Sequence, residues 1–227
     1  MPDPSSVRSL FTDLAPSYDR YNRIFSLGLD ILWRNRLVQA VALNQPSSVL
    51  DVACGSGDVA LALQKKLPDA NVTALDFCVP LLAQAKSRGV KHVVEGDALH
   101  LPFSDQSFSV VTLAFGLRNF SDRRQGLSEI ARVLKPGGVF GLLEFSPPPY
   151  PWRLFWDLYL SWIMPAIAEL LTRQGKSFRY LADSISEFPT PESLTQEISQ
   201  SGLKQVEGQP MAGGLVHLSL SVKPPVP

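Results

Sequence analysis

The sequence is poor in cysteine and histidine and has no excess charge of either sign. Its 227 residues include two cysteines and three histidines, and 21 lysines and arginines balance 21 aspartates and glutamates. Two cysteines without metal-ligand spacing predict neither a disulfide framework nor a metal site, and they are typical of a reducing compartment. No basic run or stripe occurs, which argues against nucleic acid as a partner. We therefore expect a cytoplasmic protein that binds no metal and no nucleic acid.

Long uninterrupted apolar runs are also missing. The start of the chain lacks the charged and apolar segments of a signal peptide, so we expect none. The most apolar stretch, 152–171, contains Arg153, Asp157, Pro165 and Glu169 and does not predict a membrane span. One interpretation is a lid and channel for a lipid tail that also makes peripheral contact with a membrane surface. The other is a pair of core helices or the face of a homodimer.

The most informative segment is a short apolar strand that breaks into a glycine turn at 49–58. Gly55 and Gly57 allow the backbone to turn where a Cβ atom would clash. A helix is predicted from Val59 to Leu63, and its first free backbone N–H groups could meet a ligand. The pattern predicts a nucleotide-type cofactor site at the carboxyl end of the first strand of an open α/β sheet.

The residues around the turn narrow the type of cofactor. The third glycine of a dinucleotide fingerprint would fall at Ala60, which the looser fingerprint tolerates, so this position does not decide. Asp51 and Asp58 bracket the turn and would repel a pyrophosphate but attract a cationic sulfonium and an ammonium group. An alternative for Asp58 is the N-cap of the helix. The turn resembles motif I of the class I methyltransferases, which use S-adenosylmethionine.

Two further carboxylates follow predicted strands. Asp76 lies 19 residues after Gly57, a spacing typical of an acid that accepts hydrogen bonds from ribose hydroxyls, although it could also cap the next helix. In the methyltransferase family, an Asp at the place of Asp97 contacts the adenine amino group and the N–H of Ala98 reaches the ring. The alternative for Asp97 is an ordinary turn residue. We expect these carboxylates to lie at one edge of the sheet.

Strands alternate with helices along the whole chain, which predicts βαβ units and one domain over 1–227. The fold expected is α/β and Rossmann-like, a doubly wound sheet of seven mostly parallel strands with the last strand antiparallel. Later strands are predicted at 91–98, 107–115, 138–145, 202–206 and 216–222. A helix is predicted at 123–134, and the Lys-Pro-Gly-Gly run at 135–138 should end it.

Several segments together resemble the quinone C-methyltransferases of ubiquinone, menaquinone and phylloquinone biosynthesis. They are 18–34, 114–120, 132–146, 178–185 and Phe188-Pro189, in the family's order and spacing. The resemblance implies methyl transfer from S-adenosylmethionine to a ring carbon of a prenylated benzoquinol or naphthoquinol. It also implies a cover of N-terminal helices over 1–45 and an apolar helical insertion on the substrate side at 147–190.

The resemblance implies a role for Arg118 in stabilising a developing phenolate, with Asn119 beside it. Arginine stays protonated and is a poor base, so water would carry the proton away. The alternative is a structural arginine paired with Asp122 or Glu144. The cofactor-binding residues expected are Tyr18, Asp51, Ala53, Gly55, Gly57, Asp76, Phe77, Asp97 and Ala98. Tyr18 could instead pack the N-terminal helix onto the domain.

Three positions depart from the family pattern. Tyr21 stands where the family usually has Met, Asp30 where it has His, and Cys54 where Gly is more common. Cys54 has no evident His or Lys partner, so we interpret it as a small turn residue. The changes leave open which quinone is the acceptor. Alternatives are an O- or N-methyltransferase acting on another small molecule, a cofactor-binding protein without activity and, more distantly, a dinucleotide oxidoreductase.

Overall fold

The computed structural model describes residues 4–43, 45–164, 166 and 175–225. Within these residues the strands form one sheet of seven, in the order β3-β2-β1-β4-β5-β7-β6. The strands are β1 Ser48–Val52, β2 Asn71–Asp76, β3 His92–Glu95, β4 Phe108–Ala114, β5 Leu134–Phe145, β6 Lys204–Met211 and β7 Val216–Val222. Only β7 is antiparallel to its neighbours β5 and β6, as the sequence predicts.

Helices cover both faces of the sheet. They are α1 Pro4–Leu14, α2 Tyr18–Phe25, α3 Leu29–Ala42, α4 Asp58–Lys66, α5 Val79–Ser87, α6 Arg123–Val133, α7 Trp152–Leu158, α8 Gly175–Ser186 and α9 Pro191–Gln200. A π-helical turn, Tyr159–Ile163, continues α7, and a 3₁₀ turn, Leu117–Asn119, follows β4. Pro165 and Glu169, which we used to argue against a membrane span, lie outside the described residues.

Some predicted boundaries differ from the structure. The third strand is shorter than predicted, and β6 runs on to Met211. The fifth strand begins at Leu134, before the Lys-Pro-Gly-Gly run, so α6 ends one residue earlier than expected. The run lies inside the strand because Gly137 N–H donates to the carbonyl of Lys223, and Lys223 N–H donates to that of Gly138.

The central strands are buried on both faces, which explains their nearly continuous apolar sequence. On one face, Val49 packs in a cluster with the apolar sides of α3 and α4. On the other, Leu50 packs with α6 and α9. A Cβ atom at Gly141 on β5 would lie 2.7 Å from Leu37 and Val41 of α3, so glycine there lets α3 pack close to the sheet. That contact helps to fix the N-terminal helices against the sheet.

The carboxyl ends of β1, β2 and β4 meet at one edge of the sheet, where open α/β folds bind their ligands. Asp51 and Asp76 lie at or near the ends of β1 and β2, and Arg118 follows β4. No helix formed by the described residues is both long and apolar enough to cross a bilayer.

Candidate active site

A cavity of about 190 Å³ lies at this edge of the sheet. The site residues predicted from sequence that line it are Tyr18, Ala53, Gly55, Asp76, Phe77, Asp97, Ala98 and Asn119. Val7, Arg8 and Phe11 of α1 also line it, together with Phe115 and Phe120, and the sequence analysis did not identify them. Helix α1 carries no glycine turn or strand-end acid, so only its amphipathic pattern could have suggested that it faces a ligand.

Asp76 connects the ends of the first two strands. One carboxylate oxygen accepts the backbone N–H of Gly55 at 2.8 Å, and the other accepts that of Cys78 at 2.8 Å. Burial raises the pKa of Asp76, although the backbone N–H donors oppose this shift. A carboxylate has about four acceptor positions, so Asp76 keeps capacity for further hydrogen bonds on the cavity side.

The glycine turn lies directly against the ring of Tyr18. Gly55 has φ +56°, and a Cβ atom there would be 3.3 Å from Cε1 of Tyr18. Burial raises the pKa of Tyr18, which keeps its phenol neutral at physiological pH. The backbone of the glycine turn and the Tyr18 ring of α2 therefore lie in contact and form one wall of the cavity.

Gly57 and Asp51 lie outside this cavity. Gly57 has φ +89°, and a Cβ atom there would lie 2.7 Å from Val90 and 3.0 Å from Ala85, so it serves packing between the turn and α5. Asp51 borders a small adjoining cavity together with Tyr18 and Arg34. Neither residue lines the first cavity, and their contact with the cofactor stays a prediction.

The Asp51 carboxylate is 1% exposed. Its Oδ1 accepts a hydrogen bond of 2.8 Å from the Thr112 hydroxyl, whereas Oδ2 has no partner among the described residues. Burial raises the pKa of Asp51 to about 7. An unpaired buried oxygen of this kind is well suited to receive a cationic or hydrogen-bond-donating group of a ligand.

The surroundings of Asp58 differ from those expected from the sequence, because arginines pair with its carboxylate. Arg23 and Arg88 each donate to its carboxylate at 2.7 Å. Burial favours the neutral form, but Arg34, Arg23 and Arg88 outweigh it and lower the pKa of Asp58. Gly57, not Asp58, is the N-cap of α4. Asp58 thus stays ionised, and the arginines balance its charge. These ion pairs argue against an attraction between Asp58 and a sulfonium, which stays a prediction.

A second cavity of about 150 Å³ adjoins the first and is largely apolar. Tyr18 and Phe115 line both cavities. The remaining lining includes Tyr21, Phe25, Trp33, Phe145, Trp156, Tyr159, Leu181 and Ile185 from α2, α3, β5, the α7 segment and α8. Phe115 has φ +59°, an uncommon conformation for a bulky residue and one found often at functional sites.

Arg118 belongs to this second cavity. Its Nη1 donates to Oε1 of Glu144 at 2.7 Å and to the carbonyl oxygen of Phe115 at 2.5 Å. The structural pairing that we considered from sequence is therefore present, with Glu144 as partner. Asp122 instead accepts the N–H of Gln125 and caps α6. Nε of Arg118 is buried and has no partner within the described part of the chain.

Asn119 lies on the other side of the same 3₁₀ turn. It lines the first cavity, and its Oδ1 accepts a hydrogen bond of 3.0 Å from the hydroxyl of Tyr180 on α8. The two residues predicted to act together therefore face different cavities, and the turn Leu117–Asn119 connects them.

The two departures from the family pattern near the N-terminus, Tyr21 and Asp30, both line the second cavity. Asp30 is buried and forms ion pairs with Arg23 and Arg34, and it accepts a hydrogen bond of 2.8 Å from Ser26. An anion at this position is therefore balanced by two cations. Tyr21 lines the second cavity and packs edge-on against Phe25, with ring centroids 6.5 Å apart.

Neither thiol chemistry nor a metal centre is suggested by the described residues. Burial, with the nearby carboxylates Asp51 and Asp76, raises the pKa of the Cys54 thiol well above its usual range, which favours the protonated thiol over the reactive thiolate. No group of three or more His, Cys, Asp or Glu side chains that could hold a metal ion occurs in the part of the chain that the structure describes.

Solved structures share this fold at low sequence identity. An S-adenosylmethionine-dependent methyltransferase of Thermotoga maritima matches with a TM-score of 0.71 and 17% identity, over 96% of this chain and 99% of that protein. The [4+2]-cyclase SpnF matches with a TM-score of 0.64 and 17% identity, over 85% of this chain and 81% of that protein. The shared fold therefore does not determine the reaction by itself.

Sequence comparison is more specific. The chain is 41% identical over 199 residues to a demethylmenaquinone methyltransferase of Thermus thermophilus, covering 85% of this chain and 90% of that protein. It is 40% identical over 223 residues to a demethylmenaquinone methyltransferase of Corynebacterium glutamicum, covering 98% of this chain and 96% of that protein. The profile of the ubiE/COQ5 methyltransferase family matches residues 3–223. The chain therefore belongs to the ubiE/COQ5 methyltransferase family, for which S-adenosylmethionine is the expected cofactor.

Proposed function

We propose that the protein transfers a methyl group from S-adenosylmethionine to a ring carbon of a reduced, prenylated naphthoquinone of the demethylmenaquinol type. The observation that carries this proposal is the pair of adjoining cavities that share Tyr18 and Phe115, with Arg118 in the apolar one. Two relatives of about this chain's length are named demethylmenaquinone methyltransferases, which favours a naphthoquinol over a benzoquinol.

The first cavity is the proposed cofactor site. The backbone approach at Gly55 in this cavity fits a ligand that carries donor groups. Asp51 borders the small adjoining cavity, and its unpaired Oδ2 would favour positive charge nearby. Asp76 would accept from ribose hydroxyls, and Asp97 with Ala98 would contact the adenine. When bound, S-adenosylmethionine supplies an activated methyl group, so positioning of the acceptor ring is the main task left to the protein.

The second cavity is the proposed acceptor site. Trp33, Phe115 and Phe145 form an aromatic cluster with ring centroids 4.7 to 6.4 Å apart, which would exclude water around a quinol ring. The unpartnered Nε–H of Arg118 would donate to a ring oxygen and stabilise the phenolate as its proton passes to water. A phenolate oxygen pushes electron density into the ring, which makes the ring carbon a better nucleophile.

Peripheral contact with a membrane is part of the proposal, because a prenylated quinol resides in a bilayer. Large apolar side chains are exposed on α7, on the π-helical turn that continues it and near the start of α3: Leu27, Leu32, Trp152, Leu154, Phe155, Leu158 and Trp162. Leu27 and Phe155 also line the second cavity. Flotation with liposomes tests this contact, and protein that stays wholly in the soluble fraction would contradict it. Concentration-dependent sedimentation would show whether the same face forms a homodimer instead.

The function is tested with purified protein, S-adenosylmethionine and a reduced naphthoquinone that carries a short prenyl chain. Mass spectrometry should show one methyl group gained on a ring carbon. The matched acceptors are the corresponding prenylated benzoquinol and the naphthoquinol without its prenyl chain. Faster methylation of the benzoquinol, or methylation on oxygen, would contradict the proposed acceptor. Calorimetric titration with a nicotinamide dinucleotide should show no binding.

A further inference from the structure

Glu144 lies near the end of β5 with only 1% of its surface exposed. Its Oε1 accepts hydrogen bonds from Nη1 of Arg118 at 2.7 Å and from the N–H of Phe145 at 2.9 Å. Its Oε2 accepts the backbone N–H of Arg118 at 3.2 Å. A single carboxylate therefore holds both the main chain and the guanidinium of the same arginine.

The other contacts of Arg118 restrict the same end of the guanidinium. Nη1 also donates to the carbonyl oxygen of Phe115, and Cζ lies 5.2 Å from the centroid of the Phe145 ring. Nε, by contrast, has no partner among the described residues. The guanidinium is thus fixed at Nη1, while Arg118 still lines the apolar cavity with hydrogen-bonding capacity to spare.

We infer that Glu144 is a positioning residue, which fixes the Arg118 guanidinium so that its free N–H is directed at a ring oxygen of the acceptor. The inference rests on the proposed function, because it assigns Arg118 to the acceptor. The two side chains are 10% and 2% exposed. Buried ion pairs contribute little net stability compared with apolar residues of similar size. Their fixed, planar geometry instead suits the orientation of one donor.

A four-protein comparison tests this role: wild type, Arg118→Gln, Glu144→Gln and the double variant. Glu144→Gln should lower kcat by about 10- to 100-fold, the size of effect expected when a catalytic group is misplaced. The affinity for S-adenosylmethionine should stay unchanged, because Glu144 does not line the first cavity. The KM for the quinol should change much less than kcat.

The double variant separates positioning from a purely structural role. Each single variant leaves one buried charge unpaired and should lower Tm, whereas the double variant removes both charges and should regain most of that loss. Its kcat should stay at the level of Arg118→Gln alone, because Glu144 acts through Arg118. The inference would be overturned if the double variant regained kcat together with Tm. It would also be overturned if kcat of the double variant fell by the product of the reductions in the two single variants.

A matched control comes from a second Arg–Glu ion pair, which lies away from both cavities. Arg123 donates to Glu197 at 2.9 and 3.0 Å, and the Glu197 side chain is 16% exposed. Glu197→Gln should lower Tm without changing kcat. If Glu144→Gln does not fold, Glu144→Asp keeps the charge but withdraws it by one methylene, and it should lower kcat similarly. Wild-type kcat in Glu144→Asp would then overturn the inference.

Failure of the inference and failure of the proposed function give different results. If the wild-type protein methylates no prenylated naphthoquinol, the proposed function fails. If the wild type is active and Arg118→Gln is impaired, but folded Glu144→Gln matches the wild type, the function stands and only the role of Glu144 is wrong. Far-ultraviolet circular dichroism and binding of S-adenosylmethionine establish that each variant is folded.

Discussion

Asp51 accepts a hydrogen bond of 2.8 Å from the hydroxyl of Thr112, across the boundary between β1 and β4. Only Oδ1 takes part, and the other carboxylate oxygen is buried without a partner in the described chain. The half-paired carboxylate has a pKa of about 7, raised by burial. Asp51 therefore changes charge within the physiological pH range, which has consequences for both stability and cofactor binding.

Asp51→Asn should stabilise the protein at high pH. The raised pKa means that the folded protein holds a proton that the unfolded chain has already lost, so stability falls as pH rises from about 4 to 7. The substitution removes this loss and should raise the free energy of unfolding by ~2–4 kcal/mol at pH 8, and by much less at pH 5. Urea unfolding of the ligand-free protein at both pH values measures the difference.

The control for this experiment is Asp105→Asn, whose side chain is 71% exposed. Asp105→Asn should change the free energy of unfolding only slightly, and by nearly the same amount at pH 5 and pH 8. A gain in Asp51→Asn that is equal at pH 5 and pH 8 would contradict the raised pKa of Asp51.

Binding of S-adenosylmethionine should be stronger at pH 8 than at pH 6 if its positive charge lies near Asp51, because the cation favours the ionised carboxylate. Calorimetric titration should detect release of a proton near pH 6.5. Asp51→Asn should abolish both the proton release and the pH dependence of Kd. Persistence of either in the variant would assign the effect to another group.

Asp76→Ala should weaken cofactor binding far more than Asp97→Ala. Asp76 is buried and accepts two backbone N–H groups that shape the turn. Asp97 has a 60% exposed side chain and accepts the N–H of Leu99. We expect Kd for S-adenosylmethionine to rise by about 10- to 100-fold for Asp76→Ala, in line with the loss of charge-assisted hydrogen bonds, and only a few-fold for Asp97→Ala. Equal effects would argue that Asp76 has no ligand role.

Gly57→Ala should destabilise the protein more than Gly28→Ala, although both glycines are N-caps with left-handed backbones. A Cβ atom at Gly57 would lie 2.7 Å from Val90, whereas nothing lies within 4 Å at Gly28. We expect the left-handed backbone alone to lower the free energy of unfolding by about 1 kcal/mol in Gly28→Ala. In Gly57→Ala, overpacking should lower it by a further ~1–3 kcal/mol. Chemical denaturation measures both, and equal losses would show that Val90 can move aside.

Asp30→Ala should destabilise the protein strongly, because it removes the more buried of the two carboxylates that Arg23 and Arg34 share and leaves only Asp58. The Asp30 side chain is 5% exposed and that of Arg34 is 11% exposed. Breaking a buried pair of this kind costs ~3–5 kcal/mol. The control is Asp157→Ala. Asp157 pairs with Arg153, and their side chains are 58% and 60% exposed. Loss of this exposed ion pair should lower the free energy of unfolding by about 0.5 kcal/mol at most. A small loss for Asp30→Ala would mean that Asp58, which also pairs with both arginines, is sufficient for them.

The sheet and much of the lining of the first cavity were predictable from sequence. A strand, a glycine turn and an acid at 19 residues' spacing are local patterns, and alternating strands and helices force the strand ends to one edge. Asp76, Gly55 and Asp97 accordingly line one cavity. Helix α1 was missed as part of that cavity because no such pattern marks it.

The charged contacts were less predictable. From sequence, Asp58 was expected to face the cofactor, but Arg23 and Arg88 reach it from 35 and 30 residues away. For Arg118, the sequence left both Asp122 and Glu144 open as partners. Glu144 is the partner because β4 and β5 are adjacent and parallel, whereas the nearer Asp122 caps α6.

The sequence by itself determined the α/β class, a doubly wound sheet of seven strands with the last one antiparallel, and S-adenosylmethionine as the expected cofactor, because hydrophobic period, glycine turns and strand-end acids act over short distances. The order of the strands in the sheet came from the structure. Only the tertiary structure decided that Arg118 and Asn119 face different cavities and that Tyr18 and Phe115 join the two. Those relationships depend on which distant elements pack together, and a buried charge takes whichever opposite charge that packing brings within reach.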